Sequence, residues 1–353
     1  MKKNPFAARL AAFAGVLREK QLDAAVVFNQ ANVRSLTGID CDNACLLVKA
    51  DGTVVFHTDF RYVPMVHRVA PWLKVDDIKK VGGARPFRSG RAKLQKMGYE
   101  SSVTHARFMQ LEKAFPGATF ADIDANVKEL RAVKTADELA KLRAAEALND
   151  AIWSEAQKKF KPGMTEKDMA RVIQHLMIER GDGEAFETIV CVGKNAAECH
   201  HVPDDTVWNG REPVLVDMGV KLDGYCSDMT RNMVLARPSK LYKKVYGLVL
   251  EANRRAIAAA KPGMTAGALD KVARDFLTQE GFGKAFGHSL GHGVGIEIHE
   301  APWAGRKQKM VLRPGMSVTI EPGLYLEGNL GVRIEDLVLI TETGCEVISH
   351  AAK

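Results

Sequence analysis

The spacing of apolar and polar positions divides about the first 130 residues into short helices and strands. An amphipathic helix is predicted over about 6–20 and a strand over 24–28. Apolar runs at 45–48 and 53–57 flank Asp51-Gly52, a dipeptide that favours the tight turn of a β-hairpin. Further helical patterns are centred near 61–69, 86–97 and 105–114. The alternation predicts an α/β domain.

A long helical pattern that begins at Thr135 marks the change to a second domain. Its apolar positions recur at helical spacing, at Leu139, Leu142, Ala145, Leu148 and Ile152. A chain of 353 residues exceeds the size at which one hydrophobic core usually stops growing. We therefore expect two domains with a boundary near Val133, the first over 1–132 and the second over 133–353.

The second domain contains an internal repeat. Lys161-Pro-Gly-Met-Thr165 recurs 100 residues later as Lys261-Pro-Gly-Met-Thr265. The match continues at Val172, Gly181, Gly183, Ala185 and Phe186, which correspond to Val272, Gly281, Gly283, Ala285 and Phe286. In each copy a Pro-Gly turn precedes a threonine that can cap a helix, and the glycine at 181 or 281 occupies the position of a left-handed C-cap. The pattern predicts two related halves.

Each half also carries two carboxylates at corresponding places. Asp217 and Glu321 each end an apolar β-type run shortly before a glycine, and Asp228 and Glu335 follow them by eleven and fourteen residues. Two homologous hairpins would bring these four acids to one central site. His292, in Gly-His-Gly-Val-Gly, is the candidate imidazole beside them.

Buried carboxylates repel one another and are costly to remove from water unless cations lie among them. Alone, an aspartate at a strand end is usually a cap, and a histidine in a glycine-rich loop usually makes a structural hydrogen bond. Four acids and one imidazole on a duplicated frame instead suit two divalent cations. The combination predicts a dinuclear metal site.

Composition and charge describe an ordinary globular protein, with 46% apolar and 26% charged residues. The net charge of +7 favours an anionic partner, and basic residues concentrate between Lys74 and Lys96. Acids interrupt that segment and aromatic residues are few, so we expect a solvated face rather than a nucleic-acid site. The six cysteines lack the spacing of a disulfide framework, and Cys191 and Cys199 fit no usual zinc finger.

The apolar run from Phe6 to Leu17 raises the question of a signal peptide. Arg9 interrupts it and no small-residue cleavage site follows, which favours an amphipathic first helix. No stretch approaches the roughly 20 apolar residues that a membrane-spanning helix needs. We expect a cytoplasmic protein with no membrane association.

The second domain contains five motifs around the candidate ligands: Val216–Gly219, Ser227–Arg231, His288–Gly295, Ile320–Gly323 and Gly331–Asp336. Together they resemble the pita-bread metallopeptidases, and most closely the proline-specific members, Xaa-Pro dipeptidase (prolidase) and Xaa-Pro aminopeptidase. Leu36–Gly38 and Thr58–Tyr62 resemble the non-catalytic domain of that subgroup. The resemblance implies a creatinase-like α/β N-terminal domain and an α+β pita-bread catalytic domain with an internal pseudo-two-fold duplication.

The resemblance also implies a role for each ligand. Asp217 chelates one metal, His292 and Glu321 hold the other, and Asp228 and Glu335 bridge both. A bridging water or hydroxide then attacks the peptide carbonyl, because divalent cations lower the pKa of bound water and polarise the carbonyl. Manganese or cobalt is expected, with zinc or iron also compatible, since oxygen-rich ligation with one imidazole does not select among them.

Two histidines match substrate-binding positions of these enzymes. His200 lies seventeen residues before Asp217, and His299 lies seven after His292. Their expected roles are to donate hydrogen bonds to the substrate carbonyl and to stabilise the tetrahedral oxyanion. The neighbouring His201 could be confused with His200, and the spacing favours His200.

His288 and Arg333 match positions that distinguish the proline-specific members from the methionine aminopeptidases. Arg333 and Glu335 point to the same side of a strand, so the guanidinium would lie beside the metals and bind a substrate carbonyl or carboxylate. The alternative for Arg333 is an ion pair that orients Glu335.

The resemblance implies hydrolysis of the bond preceding proline in small peptides with proline at the second position. The imide nitrogen of that bond has no hydrogen, so a dedicated site is needed. The alternative is a non-peptidase relative, either a creatinase-like hydrolase or a module that binds nucleic acid or protein, and loss of ligands would mark it. All five ligands are present. Dipeptidase and aminopeptidase both stay open, and a homodimer is the expectation from the family.

Overall fold

A computed structural model describes residues 4, 6–77 and 94–353. The chain divides into two compact units, residues 1–131 and 132–353. Among the described helices, none is long and apolar enough to cross a membrane. Most of the helix expected near 86–97 and most of the basic segment between Lys74 and Lys96 fall outside the described residues. The described end of that expected helix is wrong, because Lys96 and Met97 lie in a strand.

The first unit is built on a mixed β-sheet. Its described strands are β1 (Ala24–Val27), β2 (Ala44–Lys49), β3 (Val54–Thr58), β4 (Lys74–Asp77), β5 (Lys96–Tyr99) and β6 (Thr119–Asp122). They lie in the order β4-β3-β2-β1-β5-β6. β2 pairs antiparallel with β1 and β3, and the other neighbours are parallel. The predicted hairpin is confirmed, with Val48 opposite Val54 and Gly52 at a φ of 88° in the turn.

Helices cover both faces of this sheet. They are α1 (Ala7–Glu19), α2 (Gln30–Thr37), α3 (Val63–Val69), α4 (His105–Ala114) and α5 (Asp124–Ala132). In β1, Ala25 and Val27 pack in one cluster with α1 and α2, whereas Ala24 and Val26 pack in another with α4. A strand buried on both faces requires a continuous apolar run, which is what residues 24–27 provide.

The second unit has two related halves, each with a packed helix pair. The helices are α6 (Ala136–Lys159), α7 (Glu166–Arg180), α8 (Lys240–Ala259) and α9 (Ala266–Gln279). α7 packs on α6, and α9 packs on α8. The repeated threonines cap α7 and α9 as predicted, and they form equivalent isolated bridges, Thr165 with Val207 and Thr265 with Val311.

Short antiparallel strands complete each half. The first half has β7 (Gly183–Glu184), β8 (Ile189–Val192), β9 (Val214–Met218), β10 (Val220–Leu222), β11 (Tyr225–Cys226) and β12 (Met229–Met233). The second has β13 (Gly291–Gly293), β14 (Glu300–Ala304), β15 (Ser317–Ile320), β16 (Gly323–Leu326), β17 (Leu330–Arg333), β18 (Asp336–Ile340) and β19 (Cys345–Val347). β9 pairs with β12, and β15 pairs with β18. These are the two predicted acid-bearing hairpins.

The repeat glycines differ from their prediction in one place. Gly281 is left-handed, with a φ of 85°, but Gly181, although it is the C-cap of α7, has a φ of −129° and is extended, so the left-handed conformation predicted there is wrong. A Cβ at Gly181 would lie 2.7 Å from both the carbonyl oxygen of Lys221 and the Cγ2 of Val220. The close approach of β10 to the end of α7, rather than a backbone twist, explains this glycine.

Candidate metal centre

The two acid-bearing hairpins meet at one cavity of about 590 Å³ in the second unit. All nine predicted site residues line it: His200, Asp217, Asp228, His288, His292, His299, Glu321, Arg333 and Glu335. The structure therefore brings together residues spread over 136 positions of the sequence, counted from 200 to 335 inclusive. Their chemical roles stay predictions.

The period-2 alternation of β9 determines where Asp217 lies. Val216 and Met218 are buried in the core of the first half, so Asp217 faces the opposite side. It is the cross-strand partner of Thr230 in β12. Asp217 thus lies near the end of an apolar strand but points away from the apolar core.

The other three acids lie at strand ends and are fixed by hydrogen bonds. The backbone N–H of Asp228 donates to Glu146 Oε2 (3.1 Å). Thr230 Oγ1 donates to Glu335 Oε2 (2.7 Å), and the hydroxyl of Thr319 donates to Glu321 Oε1 (2.9 Å). The protein thus holds these three acids by its own hydrogen bonds, and the donor to Glu335 comes from the other hairpin.

The orientation of His292 points to a cation among these acids. Its Nδ1 lies 3.1 Å from the carbonyl oxygen of Gly293, which can only accept, so Nδ1 carries a proton. Burial lowers the pKa of His292, which favours the neutral ring. Nε2 then presents a lone pair 3.3 Å from Glu321 Oε1 and 3.5 Å from Asp228 Oδ2. Lone pairs repel at these distances unless a cation lies among them or a carboxyl group carries a proton.

Burial also opposes the ionised form of the acids. It is the main cause that raises the pKa of Asp228 and Glu335 well above their usual range, and neighbouring carboxylates add to it. Burial likewise raises the pKa of Glu321 to about 7. Among the described residues, the buried Oδ1 of Asp217 and Oε1 of Glu335 have no hydrogen-bond partner, which costs about 1–3 kcal/mol each.

This donor set fits divalent cations. The ligand atoms of Asp228, His292 and Glu335 all lie within 4.8 Å of one another. Cations would lower the pKa of the acids, satisfy the two unpaired carboxylate oxygens and bind the free Nε2 lone pair. The residues thus provide an oxygen-rich site with one imidazole.

Arg333 contacts Asp217 rather than Glu335. Its Nη2 donates to Asp217 Oδ2 (2.7 Å), and its Nε donates to the hydroxyl of Thr230 (2.9 Å). Nη1 donates to the hydroxyl of Tyr325 (2.8 Å) and to the carbonyl oxygen of Cys199 (3.3 Å). The alternative of an ion pair with Glu335 is therefore wrong, because Glu335 is held by Thr230 instead.

His288 belongs to the same hydrogen-bond network. Its Nδ1 donates to the carbonyl oxygen of Ser289 (2.7 Å), so its Nε2 accepts from the hydroxyl of Tyr325 (2.9 Å). Burial lowers the pKa of His288 to about 4, which keeps the ring neutral. His288, Tyr325, Arg333 and Asp217 form one continuous chain of polar contacts.

The remaining histidines lie on the cavity wall. The ring of His299 meets that of His292 edge to face at 4.4 Å between centroids and stacks on Trp303 at 6.2 Å. His200 is exposed to the cavity. The ring of His201 is instead tied by Nε2 to a carboxylate oxygen of Glu166 at 2.7 Å.

Sequence reasoning missed several residues of this site. Thr230 lies inside one of the quoted motifs but was given no role, and Tyr325 and Trp303 lie outside all of them. Glu146 comes from α6, 82 residues before the aspartate whose backbone it holds. A tyrosine in a strand and a glutamate in a helix are common, so neither carries a sequence signal.

Both parts of the chain match models of known protein families. Residues 140–342 match the model of metallopeptidase family M24, and residues 9–133 match the creatinase/prolidase N-terminal domain. An uncharacterized peptidase of Staphylococcus aureus (strain MSSA476) is 35% identical over 349 residues, covering 96% of this chain and 97% of that protein.

Two solved structures resemble the whole chain. The Xaa-Pro dipeptidase from Bacillus anthracis has a TM-score of 0.90 at 31% identity, covering 99% of this chain and 98% of that one. The X-Pro aminopeptidase from Thermotoga maritima MSB8 has a TM-score of 0.84 at 32% identity, covering 95% and 98%. The predicted fold class, a creatinase-like α/β domain followed by a pita-bread catalytic domain, is confirmed.

Proposed function

The chain belongs to metallopeptidase family M24, and from that premise we propose that it hydrolyses the bond preceding proline in small peptides. The observation that supports this most is the lining of one cavity by five candidate ligands and four candidate substrate contacts. The solved relatives named for Xaa-Pro substrates add to that support.

We infer that Asp217, Asp228, His292, Glu321 and Glu335 hold two divalent cations, manganese or cobalt. When bound, the cations supply a water of lowered pKa and polarise the scissile carbonyl. The neutral His292 donates its Nε2 lone pair without adding positive charge. Arg333 offsets one of the four carboxylate charges through its contact with Asp217.

The side chains on the cavity wall would bind and orient the peptide. His200 and His299 are the proposed donors to the carbonyl oxygen as negative charge develops there. Arg333 has five N–H donors, and the contacts with Thr230, Asp217, Tyr325 and Cys199 use four of them. One Nη2 hydrogen is left for an oxygen of the substrate.

The first experiment removes metal with a chelator and adds back manganese, cobalt, zinc or iron one at a time. We expect the metal-free protein to be inactive on Xaa-Pro peptides and manganese or cobalt to restore turnover with two ions bound per chain. Matched Xaa-Ala peptides control for proline specificity. Equal turnover of both peptide series, or turnover without divalent metal, would contradict the proposal.

A second measurement separates the two proline-specific activities. Both recognise an N-terminal residue followed by proline, and they differ in whether the pocket ends after the proline. Turnover of Xaa-Pro dipeptides but not of Xaa-Pro-Yaa tripeptides would establish a dipeptidase, and the reverse would establish an aminopeptidase. If neither is cleaved while the protein binds nucleic acid in a salt-dependent way, the peptidase proposal is wrong.

A further inference from the structure

Glu166 is a fully buried carboxylate that does not line the cavity. It is the first residue of α7 and accepts four hydrogen bonds. Oε1 accepts from the backbone N–H of Val192 (2.6 Å) and from Asn195 Nδ2 (2.9 Å). Oε2 accepts from His201 Nε2 (2.7 Å) and from the backbone N–H of Asp204 (3.0 Å).

These four donors lie before, within and after a segment that forms one wall of the cavity. Five consecutive residues, which we call the wall segment (Cys199–Pro203), line the cavity. Two of the donors precede the wall segment, one lies within it and one follows it. Glu166 therefore fixes the segment on both sides of His200, although it does not touch the cavity itself.

The other half of the duplication shows that the frame does not require this carboxylate. The repeat places Ala266 opposite Glu166, at the first position of α9. The backbone N–H of Ala266 donates to the carbonyl oxygen of Met310 (2.9 Å), just as that of Glu166 donates to the carbonyl oxygen of Thr206 (3.1 Å). Alanine is sufficient for the helix start and the strand bridge.

A buried carboxylate is costly unless several donors compensate it. Here it occurs in the half whose loop carries His200. The ligand atoms of Glu166, His201 and Asp204 lie within 4.8 Å of one another. Each oxygen of Glu166 already accepts two N–H groups, so the cluster is a hydrogen-bonded network that holds the loop and not a metal site.

We propose that Glu166 and His201 are positioning residues that fix His200 in the cavity by tying the wall segment to α7. The inference rests on the proposed function for the step in which His200 contacts substrate. The contact between the ring of His201 and Glu166 keeps this histidine from competing with its neighbour for the substrate carbonyl.

The test compares His201→Leu, which removes the donor to Glu166, with His201→Gln, whose amide N–H can replace it. Asp205→Asn is the control, since Asp205 is exposed, lies in the same loop and forms an ion pair at the surface with Lys167. Both His201 variants leave Glu166 itself in place, with its three other hydrogen-bond donors, so the start of α7 is not mutated. Hydrogen exchange of residues 193–206, kcat, KM and metal content are measured for each.

For His201→Leu we expect faster exchange in residues 193–206 and a kcat lowered by up to about 100-fold, the cost of a small misplacement. KM and metal content should change little, because the contact that is weakened, between His200 and the substrate oxygen, stabilises mainly the transition state. His201→Gln should restore most of kcat and of the exchange protection. Asp205→Asn should match the wild type in every measurement.

Two outcomes would overturn the proposal. One is an unchanged kcat and exchange rate in His201→Leu; the other is an equal loss of kcat in the Leu and Gln variants, which would indicate a role for the imidazole itself. If the wild type cleaves no Xaa-Pro peptide, the proposed function fails separately. Hydrogen exchange of residues 193–206 then tests by itself whether Glu166 and His201 hold the wall segment. Faster exchange in His201→Leu but not in His201→Gln supports this role, and no difference between them refutes it.

Discussion

The first half of the catalytic unit contributes two acids and one histidine to the predicted site, whereas the second half contributes two acids, three histidines and Arg333. The paired helices, the capping threonines and the acid-bearing hairpins occur in both halves. What differs is the other site residues, which lie in loops (His200, His288 and His299) and in strands β13 and β17 (His292 and Arg333). The duplication thus supplies a symmetric carboxylate frame, and these additional residues make it chemically asymmetric.

The halves also depend on each other for hydrogen bonds. Arg333 of the second half donates to Asp217 and Thr230 of the first. Thr230 in turn donates to Glu335 of the second half. Each half therefore positions an acid of the other. A single half would therefore lack the donor to one of its two acids, Arg333 for Asp217 or Thr230 for Glu335.

The largest expected effect tests whether the carboxylates of the two halves are equivalent as metal ligands. Asp228→Asn and Glu335→Gln each remove one proposed bridging carboxylate, one from each half. Both should lower kcat/KM by at least about 1,000-fold, because each removes several kcal/mol of metal-dependent stabilisation. Steady-state kinetics and metal analysis of both variants check this.

The control for these variants is Glu342→Gln, which changes an exposed acid in the loop between β18 and β19. It should behave as the wild type. Near-normal turnover in either Asp228→Asn or Glu335→Gln would show that the halves are not equivalent as metal ligands. The symmetric carboxylate frame would then be a feature of the fold and not of the chemistry.

A smaller effect tests the contact between halves. Arg333→Met removes the donor to Asp217, and groups that orient ligands typically contribute about 10- to 100-fold in metal affinity or activity. Metal titration and kcat/KM measure the loss. Arg211→Met, at an exposed position of the first half, is the control.

A double-mutant cycle with Thr230→Val sharpens this result. Arg333 donates to the same hydroxyl that donates to Glu335, so the two substitutions should not be additive. Additive losses would mean that the two halves hold their acids independently.

The sequence predicted the parts of the molecule that repeat or alternate. The duplicated Lys-Pro-Gly-Met-Thr motif predicted two halves, and the apolar runs before Asp217 and Glu321 predicted the hairpins that carry them. A 100-residue repeat and a period of two are properties of the sequence alone, so no structure was needed to find them.

The sequence could not predict contacts that depend on tertiary packing. Glu166 was not recognised because its four partners, at residues 192–204, approach it only when the loop folds back onto α7. Tyr325 was missed for the same reason, since its two partners are 37 and 8 residues away. Arg333 contacts a different acid from the one considered because β17 ends at Arg333 and Glu335 lies between β17 and β18, so alternation along one strand does not relate the two side chains.

The smallest expected effect concerns the helix caps of the two halves. Thr165 and Asp168 form a reciprocal capping box, in which Asp168 accepts from the backbone N–H of Thr165 (3.0 Å). Thr265 likewise accepts from the backbone N–H of Ala268 (3.1 Å), but the side chain of alanine cannot accept from the backbone N–H of Thr265 in return. Thr165→Ala should lower the free energy of unfolding by about 1–2 kcal/mol and Thr265→Ala by about 0.5–1 kcal/mol.

Denaturant unfolding of the metal-loaded variants measures both losses, and Ala268→Asp tests their cause. Position 268 is exposed, so an aspartate there can complete the box and add a favourable negative charge at the start of α9. We expect it to stabilise the wild type by about 0.5 kcal/mol and to increase the loss caused by Thr265→Ala. If Ala268→Asp changes neither value, the difference between the caps does not come from the missing carboxylate. The bridges of Thr165 to Val207 and of Thr265 to Val311 would then be what anchors each helix start, and the two halves would be more alike in energy than their caps indicate.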